Sequence, residues 1–445
     1  MYAFYMNKFI LSFFCMTSLF IAHNVRAETG HKIITMNDAL RVTLQSDDDI
    51  HAARQRLEIT KEQYSQALAN WRPSVQAEAS VYKSDIDNSN FAGADGSTTK
   101  DMSLSVDQPI WRGGRSFFQM DEAKYNIKAA EALFQTEVQD ILYQTALSYA
   151  DVYFSREMKR LYTQNKDILD KQYNIASERQ EIGDLTQTDV LLAQTRRQRA
   201  IADLTAAAYE LDIDVREFDE RTGLQINPEN VEWNFDLMTQ GKNLPDNIDE
   251  LFLDIENSNP EILYAYYREL AAQKSKDEVG RELFPQIGAF ASYNKQYDPQ
   301  PGLVDDSSTA TIGLRGTLSL YQGGATRSRI RAAKKEAKQR IHEWQSVKSD
   351  MRERASMLWQ RFHAARVEYE SRLAEVSLAR QAADGVKEEA LLGQRSTIDV
   401  LDADRDYIEA EMSAIQSQRR AVDAYFALGA MLNKIKPSRT DIALR

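Results

Sequence analysis

Residues 108–114 read Gln108-Pro109-Ile110-Trp111-Arg112-Gly113-Gly114, and residues 318–324 read Leu318-Ser319-Leu320-Tyr321-Gln322-Gly323-Gly324. Each stretch closes an alternating segment with an aromatic residue and a Gly pair. Upstream of the first, Met102, Leu104 and Val106 alternate with Ser103, Ser105 and Asp107. Around the second, Ile312, Leu314, Leu318 and Leu320 alternate with Thr311, Arg315, Thr317 and Ser319. A period of two with one polar face predicts β-strands. Downstream the pattern changes. Residues 115–180 contain no Gly or Pro, and 325–391 contain a single Gly, Gly385. Such runs predict helices roughly 100 Å long at about 1.5 Å per residue. The Gly pairs permit the abrupt change from strand to helix.

Working outward, the two stretches belong to a repeat. Ser46, Ile50, Ala53 and Pro73 meet Ser258, Ile262, Ala265 and Pro285 at one constant offset. After a variable stretch the spacing shortens slightly: Gly183 meets Gly393, and Asp189-Val190-Leu191 meets Asp399-Val400-Leu401. An ordered series of this kind predicts a duplicated, domain-sized unit. The first repeat is placed at 28–224, with a helix near 45–71 stopped by Pro73, strands at 74–82 and 101–109, and a helical hairpin over 115–222. The second is placed at 258–432, with a helix near 260–283 stopped by Pro285, strands at 286–294 and 310–320, and a hairpin over 325–432. A linker at 225–257 carries turn signals (Asn227-Pro228, Gly241, Leu244-Pro245-Asp246), and a tail covers 433–445. The helical apolar stripes are thin and Ala-rich, as in coiled coils.

The formal net charge of −12 argues against a nucleic-acid partner, which needs a basic footprint. Residues 1–27 read as a signal peptide: Lys8, the apolar run Phe9 to Ala22, and Val25-Arg26-Ala27 at the cut. That run is short for a membrane span. The single cysteine, Cys15, lies inside it, so the mature chain would hold no disulfide or thiolate site. No later run reaches 18 apolar residues, which leaves a periplasmic protein, a secreted protein or an outer-membrane β-barrel. Four amphipathic strands need a cover for their apolar face, and no apolar helix supplies one. Lipid outside and a polar lumen inside would do so, but only in a closed barrel, and four strands are too few. Three chains would give 12. Trp111 and Tyr321 then fit an interfacial aromatic girdle, or are ordinary strand-end aromatics.

These residues together resemble the TolC family of outer-membrane channel proteins. The resemblance spans essentially the whole mature chain: duplicated halves, paired strands after Pro73 and Pro285, the 108–114 motif with its echo, and two helix-turn-helix tips. It implies an α+β membrane protein. That protein is a homotrimer with a 12-stranded transmembrane β-barrel, four strands per chain, continuous with a long periplasmic α-helical coiled-coil barrel. A mixed belt would come from the linker and the tail. It further implies a place in the outer membrane of a Gram-negative bacterium, among its lipid, as the exit duct of a tripartite efflux or type I secretion system. The partners would be a periplasmic adaptor (membrane fusion protein) and, through it, an inner-membrane ABC or proton-driven transporter. Cargo would be drugs or proteins. The other reading is a periplasmic coiled-coil scaffold without a pore.

Asp399 and Asp402, three apart, lie near one face of the helix that returns from the second tip. The resemblance implies that both face the tunnel entrance, where three chains would make two carboxylate rings that favour cations. Locally, Ser396 or Thr397 as a cap with acids in the first turn explains Asp399 fully and Asp402 less well. The resemblance also implies that Arg395 ties this tip to Thr188 and Asp189 of the first, holding a gate shut. The family's Tyr three residues before the tip Gly is Ala390 here. Ile182-Gly183-Asp184-Leu185 and Leu392-Gly393-Gln394 resemble the family's adaptor-docking tips; Gly183 and Gly393 also suit plain C-caps. Trp111, Gly113, Gly114, Tyr321, Gly323 and Gly324 mark the strand–helix transitions. No enzyme motif, metal set or cofactor signature is present in the sequence. His31, His51, His342 and His363 are scattered.

Overall fold

The computed structural model describes residues 34–84, 97–233, 244–300 and 304–437. The expected signal peptide, the first strand–strand loop, residues 234–243 of the linker and the end of the tail lie outside the described residues.

The helix expected at 45–71 is α2 (Asp48–Ala69), and a helix the sequence reading missed, α1 (Met36–Ser46), precedes it. Asp47 divides them: its extended backbone ends α1, and its carboxylate accepts from the Ile50 N–H to cap α2. Next come β1 (Ser74–Ser84) and β2 (Ser97–Arg112), then α3 (Arg115–Glu181) and α4 (Gln187–Thr222). The linker holds a helix that the sequence reading missed, α5 (Ile248–Ser258), started by Asn247 accepting from Glu250 N–H. Then come α6 (Pro260–Gly280), β3 (Gln286–Gln300), β4 (Val304–Thr317), α7 (Ala325–Leu391) and α8 (Thr397–Met431). Among the described residues no helix is long and apolar enough to cross a membrane.

The strands form one antiparallel sheet in the order β1-β2-β3-β4. β2 runs past its expected end, because Trp111 and Arg112 pair with Ile287 and Gln286; the register shifts between Pro109 and Trp111. Pro109 has no N–H to give the ladder, and a bulge is how a sheet absorbs that. β4 is the reverse case. It was expected at 310–320 but spans 304–317, so Leu318–Leu320 lie beyond it. Thr317 pairs with Gln286, the first residue of β3, so the alternating pattern outlasts its partner backbone.

Cross-strand rows sort the side chains. Val75, Val106, Ala291 and Ile312 form one row, and Ala77, Leu104, Tyr293 and Ala310 the next. The opposite face carries Gln76, Ser105, Ser292 and Thr311, then Glu78, Ser103, Asn294 and Thr309. The apolar face is bare within the chain: Val75 is 67% exposed and Ile312 86%.

α3 and α7 are each 67 residues long. α8 presents Ala410, Ala414, Ser417, Ala421, Ala424, Leu428 and Met431, buried and alternately four and three apart. That is the seam spacing of a coiled coil, and its small side chains let neighbouring helices approach closely. The thickest packing is midway along the long helices, where α1, the linker and the tail join them. Tyr149 is fully buried, stacks on Trp233, and donates its hydroxyl to the Ile34 and Glu232 carbonyls. Leu251 and Ile255 of α5 pack with Met351, Ala355 and Leu428. The Gln139 side chain exchanges two hydrogen bonds with the Ile435 backbone.

Candidate functional site: hairpin tips and strand–helix junctions

Both hairpins close in the same way. Gly183 and Gly393 take left-handed φ values of 83° and 77°. Around them Gly183 N–H donates to Gln180, Asp184 N–H to Arg179, Gly393 N–H to Ala390 and Gln394 N–H to Glu389. Left-handed Gly with these return bonds is a helix C-cap built into a turn. The next helix starts at once with a reciprocal capping box. Thr186 and Asp189 form it at the first tip, and Ser396 and Asp399 at the second. Thr186 hydroxyl and backbone hydrogen bonds hold the Asp189 carboxyl below the ordinary carboxylate range. Bonds from the Ser396 backbone and hydroxyl do the same for Asp399.

The tips differ in their ion pairs. Arg179 reaches Asp184 at 2.6 Å in the first, and Arg395 reaches Glu389 at 2.9 Å in the second. Within the chain, Arg395 is therefore held on its own tip by Glu389, and Asp189 by Thr186; the two are not brought together. Thr188 is an exposed residue of the first turn of α4. Asp402 lies one turn beyond Asp399 and meets Arg405 at 3.5 Å. Asp404 ties α8 back to α7 through Lys387 at 2.7 Å. Ile182, Leu391 and Leu392 stand out at the ends, 79%, 88% and 74% exposed. Arg179 and Glu389 were missed in the sequence; their signal is charge at matching places before each tip Gly, opposite in sign.

At the junctions, Gly113 and Gly114 (φ 63° and 83°) and Gly323 and Gly324 (φ 59° and 85°) turn the chain from sheet to helix. Gly113 is also crowded. A Cβ there would sit 2.6 Å from Phe284 Cβ and 3.0 Å from the Arg281 carbonyl, whereas Gly323 has open space. Trp111 is the last aromatic of β2, while Tyr321 lies past the end of β4 and is 85% exposed. A brace of charges gathers α3, α6, α7 and the short 3-10 turn Arg281–Leu283 that follows α6 here. Arg115 of α3 bonds Glu278 of α6 at 2.6 and 2.8 Å, and Gln119 donates to the same oxygen. Glu282 receives Arg329 of α7 at 2.6 Å. Burial, with Glu278 nearby, pushes the Glu122 carboxyl up. Sequence reading missed this brace, because its partners are far apart in the chain and match no short motif.

The sequence profile of the family described as "Outer membrane efflux protein" matches residues 39–223 and 253–434. The chain belongs to the outer membrane efflux protein family. It is 27% identical to the outer membrane efflux protein BepC of Brucella suis biovar 1 (strain 1330), over 88% of this chain and 84% of BepC. It is 22% identical to the outer membrane protein TolC of Salmonella enteritidis, over 73% and 67%. Among solved structures, the Campylobacter jejuni CmeC outer membrane channel superposes with a TM-score of 0.74 at 14% identity, covering 91% of this chain and 87% of that one. The outer membrane protein VceC of Vibrio cholerae gives 0.71 at 16%, covering 89% and 96%. At these identities the structures speak to fold, and the fold is that of a TolC-like channel. Membership in the efflux family places the chain in the Gram-negative outer membrane with a periplasmic extension, among proteins that are channels and not enzymes.

Proposed function

We propose that three copies of the chain close a 12-stranded barrel in the outer membrane and continue it as a 12-helix periplasmic tunnel. The observation that carries this reading is the sheet. It has one bare apolar face, one polar face, and two outer strands, β1 and β4, each with a single neighbour. Lipid on the apolar face, and strand pairing across chains at both edges, meet every requirement that one chain leaves open. The halves 28–224 and 258–432 are copies of one unit. From α2 and α6 onward their elements follow in the same order, paired elements such as β1 and β3 or α3 and α7 begin at matching places, and α5, just before the second half, stands where α1 does in the first. The described parts of 225–257 and 433–445 form the belt.

The duct serves a tripartite efflux or type I secretion system, receiving drugs or proteins from an inner-membrane ABC or proton-driven transporter through a periplasmic adaptor. The exposed tips 182–185 and 392–394 receive the adaptor. Asp399 and Asp402 of three chains ring the entrance, and contacts of Arg395 with Thr188 and Asp189 across neighbouring chains bias it shut. The test is the mass of protein extracted by detergent from outer membranes, read by light scattering. About three times the chain mass is expected. A monomer or dimer would sink the shared barrel and favour the pore-free scaffold.

A further inference from the structure

The polar face of the sheet holds a cleft beside the strand–helix junction, lined by Asp107, Arg112, Gly288, Phe290 and Arg315, among others. Its build is specific. Gly313 has no side chain, so the Phe290 ring lies directly over it; a Cβ there would meet ring carbons at 3.0 and 3.1 Å. Arg315 in turn lies over the Phe290 ring, 4.6 Å from guanidinium carbon to centroid. Stacking of this kind fixes the guanidinium plane and leaves its N–H fork free at the edge. Gly288, opposite Arg315 in the ladder, leaves the floor open, and Arg112 lies one row along, opposite Gln286. Among the described residues no ion pair involves Arg112 or Arg315, and the cleft itself contributes one acid, Asp107, against two guanidinium groups. In a chain with a net charge of −12, that is a local excess of unengaged positive charge.

We propose that this cleft binds the carboxylate of small organic anions passing along the polar face. This rests on the reading of that face as the channel lumen. Arg315 receives the carboxylate through its pre-set fork and Arg112 supplies the second cation. Phe290 and Gly313 are positioning residues that hold Arg315. The cleft, about 190 Å³, is smaller than the 300–1,000 Å³ typical of drug-sized sites, so it seats the charged end of a ligand and not the whole of it. Three chains would set three such clefts around the lumen.

The experiment uses benzoate, with uncharged benzamide as the control, on full-length protein. Isothermal titration in detergent is expected to give saturable benzoate binding that Arg315→Gln weakens at least tenfold. Phe290→Leu should weaken it less, and benzamide should not bind. In planar bilayers, benzoate is expected to reduce wild-type current and to leave the Arg315→Gln current unchanged. Equal binding by wild type and Arg315→Gln, or equal binding of benzamide, overturns the cleft whether or not the protein conducts. Arginine-dependent binding without any conductance keeps the cleft and overturns the lumen reading. Circular dichroism of Arg315→Gln checks that its sheet and helices are intact.

Discussion

Replacing Gly113 and Gly114 separately by Ala separates two costs that usually travel together. Both have positive φ, 63° and 83°, where a side chain costs roughly 1–2 kcal/mol. Both substitutions also reduce the freedom of the unfolded chain by the same amount, which cancels in the comparison. Only Gly113 is crowded: its new methyl would lie 2.6 Å from Phe284 Cβ and 3.0 Å from the Arg281 carbonyl. Those atoms are backbone or next to it and cannot swing aside as the end of a long side chain can. Overpacking of that kind costs typically 1–3 kcal/mol. Gly114→Ala should therefore lose about 1–2 kcal/mol and Gly113→Ala about 2–5. Urea titration of detergent-purified protein, followed by helical ellipticity, reads the difference as a lower midpoint for Gly113→Ala at a similar slope. Equal losses, or a larger loss at Gly114, would refute the idea that the α3 junction is pinned against the end of α6.

Three further outcomes are expected. Tyr149→Phe strips the Ile34 and Glu232 carbonyls of their shared donor inside the packed belt and should cost about 1–3 kcal/mol in the same titration; no change would mean water replaces the hydroxyl. Burial pushes the Asp214 carboxyl up to about 6, with Asp151 and Glu210 adding to the shift and Ser155 and Arg419 opposing it. The native state then holds a proton that the unfolded chain has lost, so this group's contribution to stability falls as pH rises from about 4 to 6. Discounted for screening at a half-exposed site, the effect is on the order of 1 kcal/mol, and Asp214→Asn should flatten the slope in that window. Thr186→Ala and Ser396→Ala each remove one capping box and should cost roughly 0.5–2 kcal/mol of local stability, seen as faster amide exchange at Asp189 and Asp399. Unchanged exchange would show that the turn is held by its Gly alone.

The long elements were legible because their signals are local. Absence of Gly and Pro set α3 and α7 almost to the residue, and alternation found all four strands. The errors fall where distant partners decide. The Leu318 and Leu320 alternation reads as strand, but β3 begins at Gln286 and offers nothing to pair with them. α5 hides in a linker full of turn residues, because its Leu251 and Ile255 are buried against α7 and α8. The Arg115–Glu278 brace joins residues that only folding brings together. At the tips, the sequence located the residues but not their bonds: Arg395 is engaged by Glu389, whose only mark in the sequence is its place before the tip Gly, matching Arg179 in the first half.

The distribution of packing along the hairpins bears on how an entrance could open. Fully buried side chains such as Leu142, Tyr149, Phe218, Leu251 and Leu428 concentrate midway along the long helices, where α1, the linker and the tail are added. Towards the tips, α3 buries only Leu169, Gln172 and Ala176 beyond Leu161, and α7 only Ala383 beyond Ala365. What remains at the ends is a Gly turn, a capping box, one buried side chain after each box (Val190 and Leu401) and exposed ion pairs. Such pairs are each worth about 0–1 kcal/mol. Local opening free energies follow packing, so within one chain the sparsely packed tips are expected to open at lower cost than the thickly packed middle. The capping boxes keep this from becoming disorder, since each tip holds its own turn without its neighbour. Asp399 shows how one carboxylate can serve both readings. Oδ2 takes the bonds from Ser396 that fix the helix start, and those bonds favour its ionised form. In the proposed tunnel such an exposed, charged cap is also a negative charge at the entrance, so the capping role of Asp399 is compatible with the ring proposed for it.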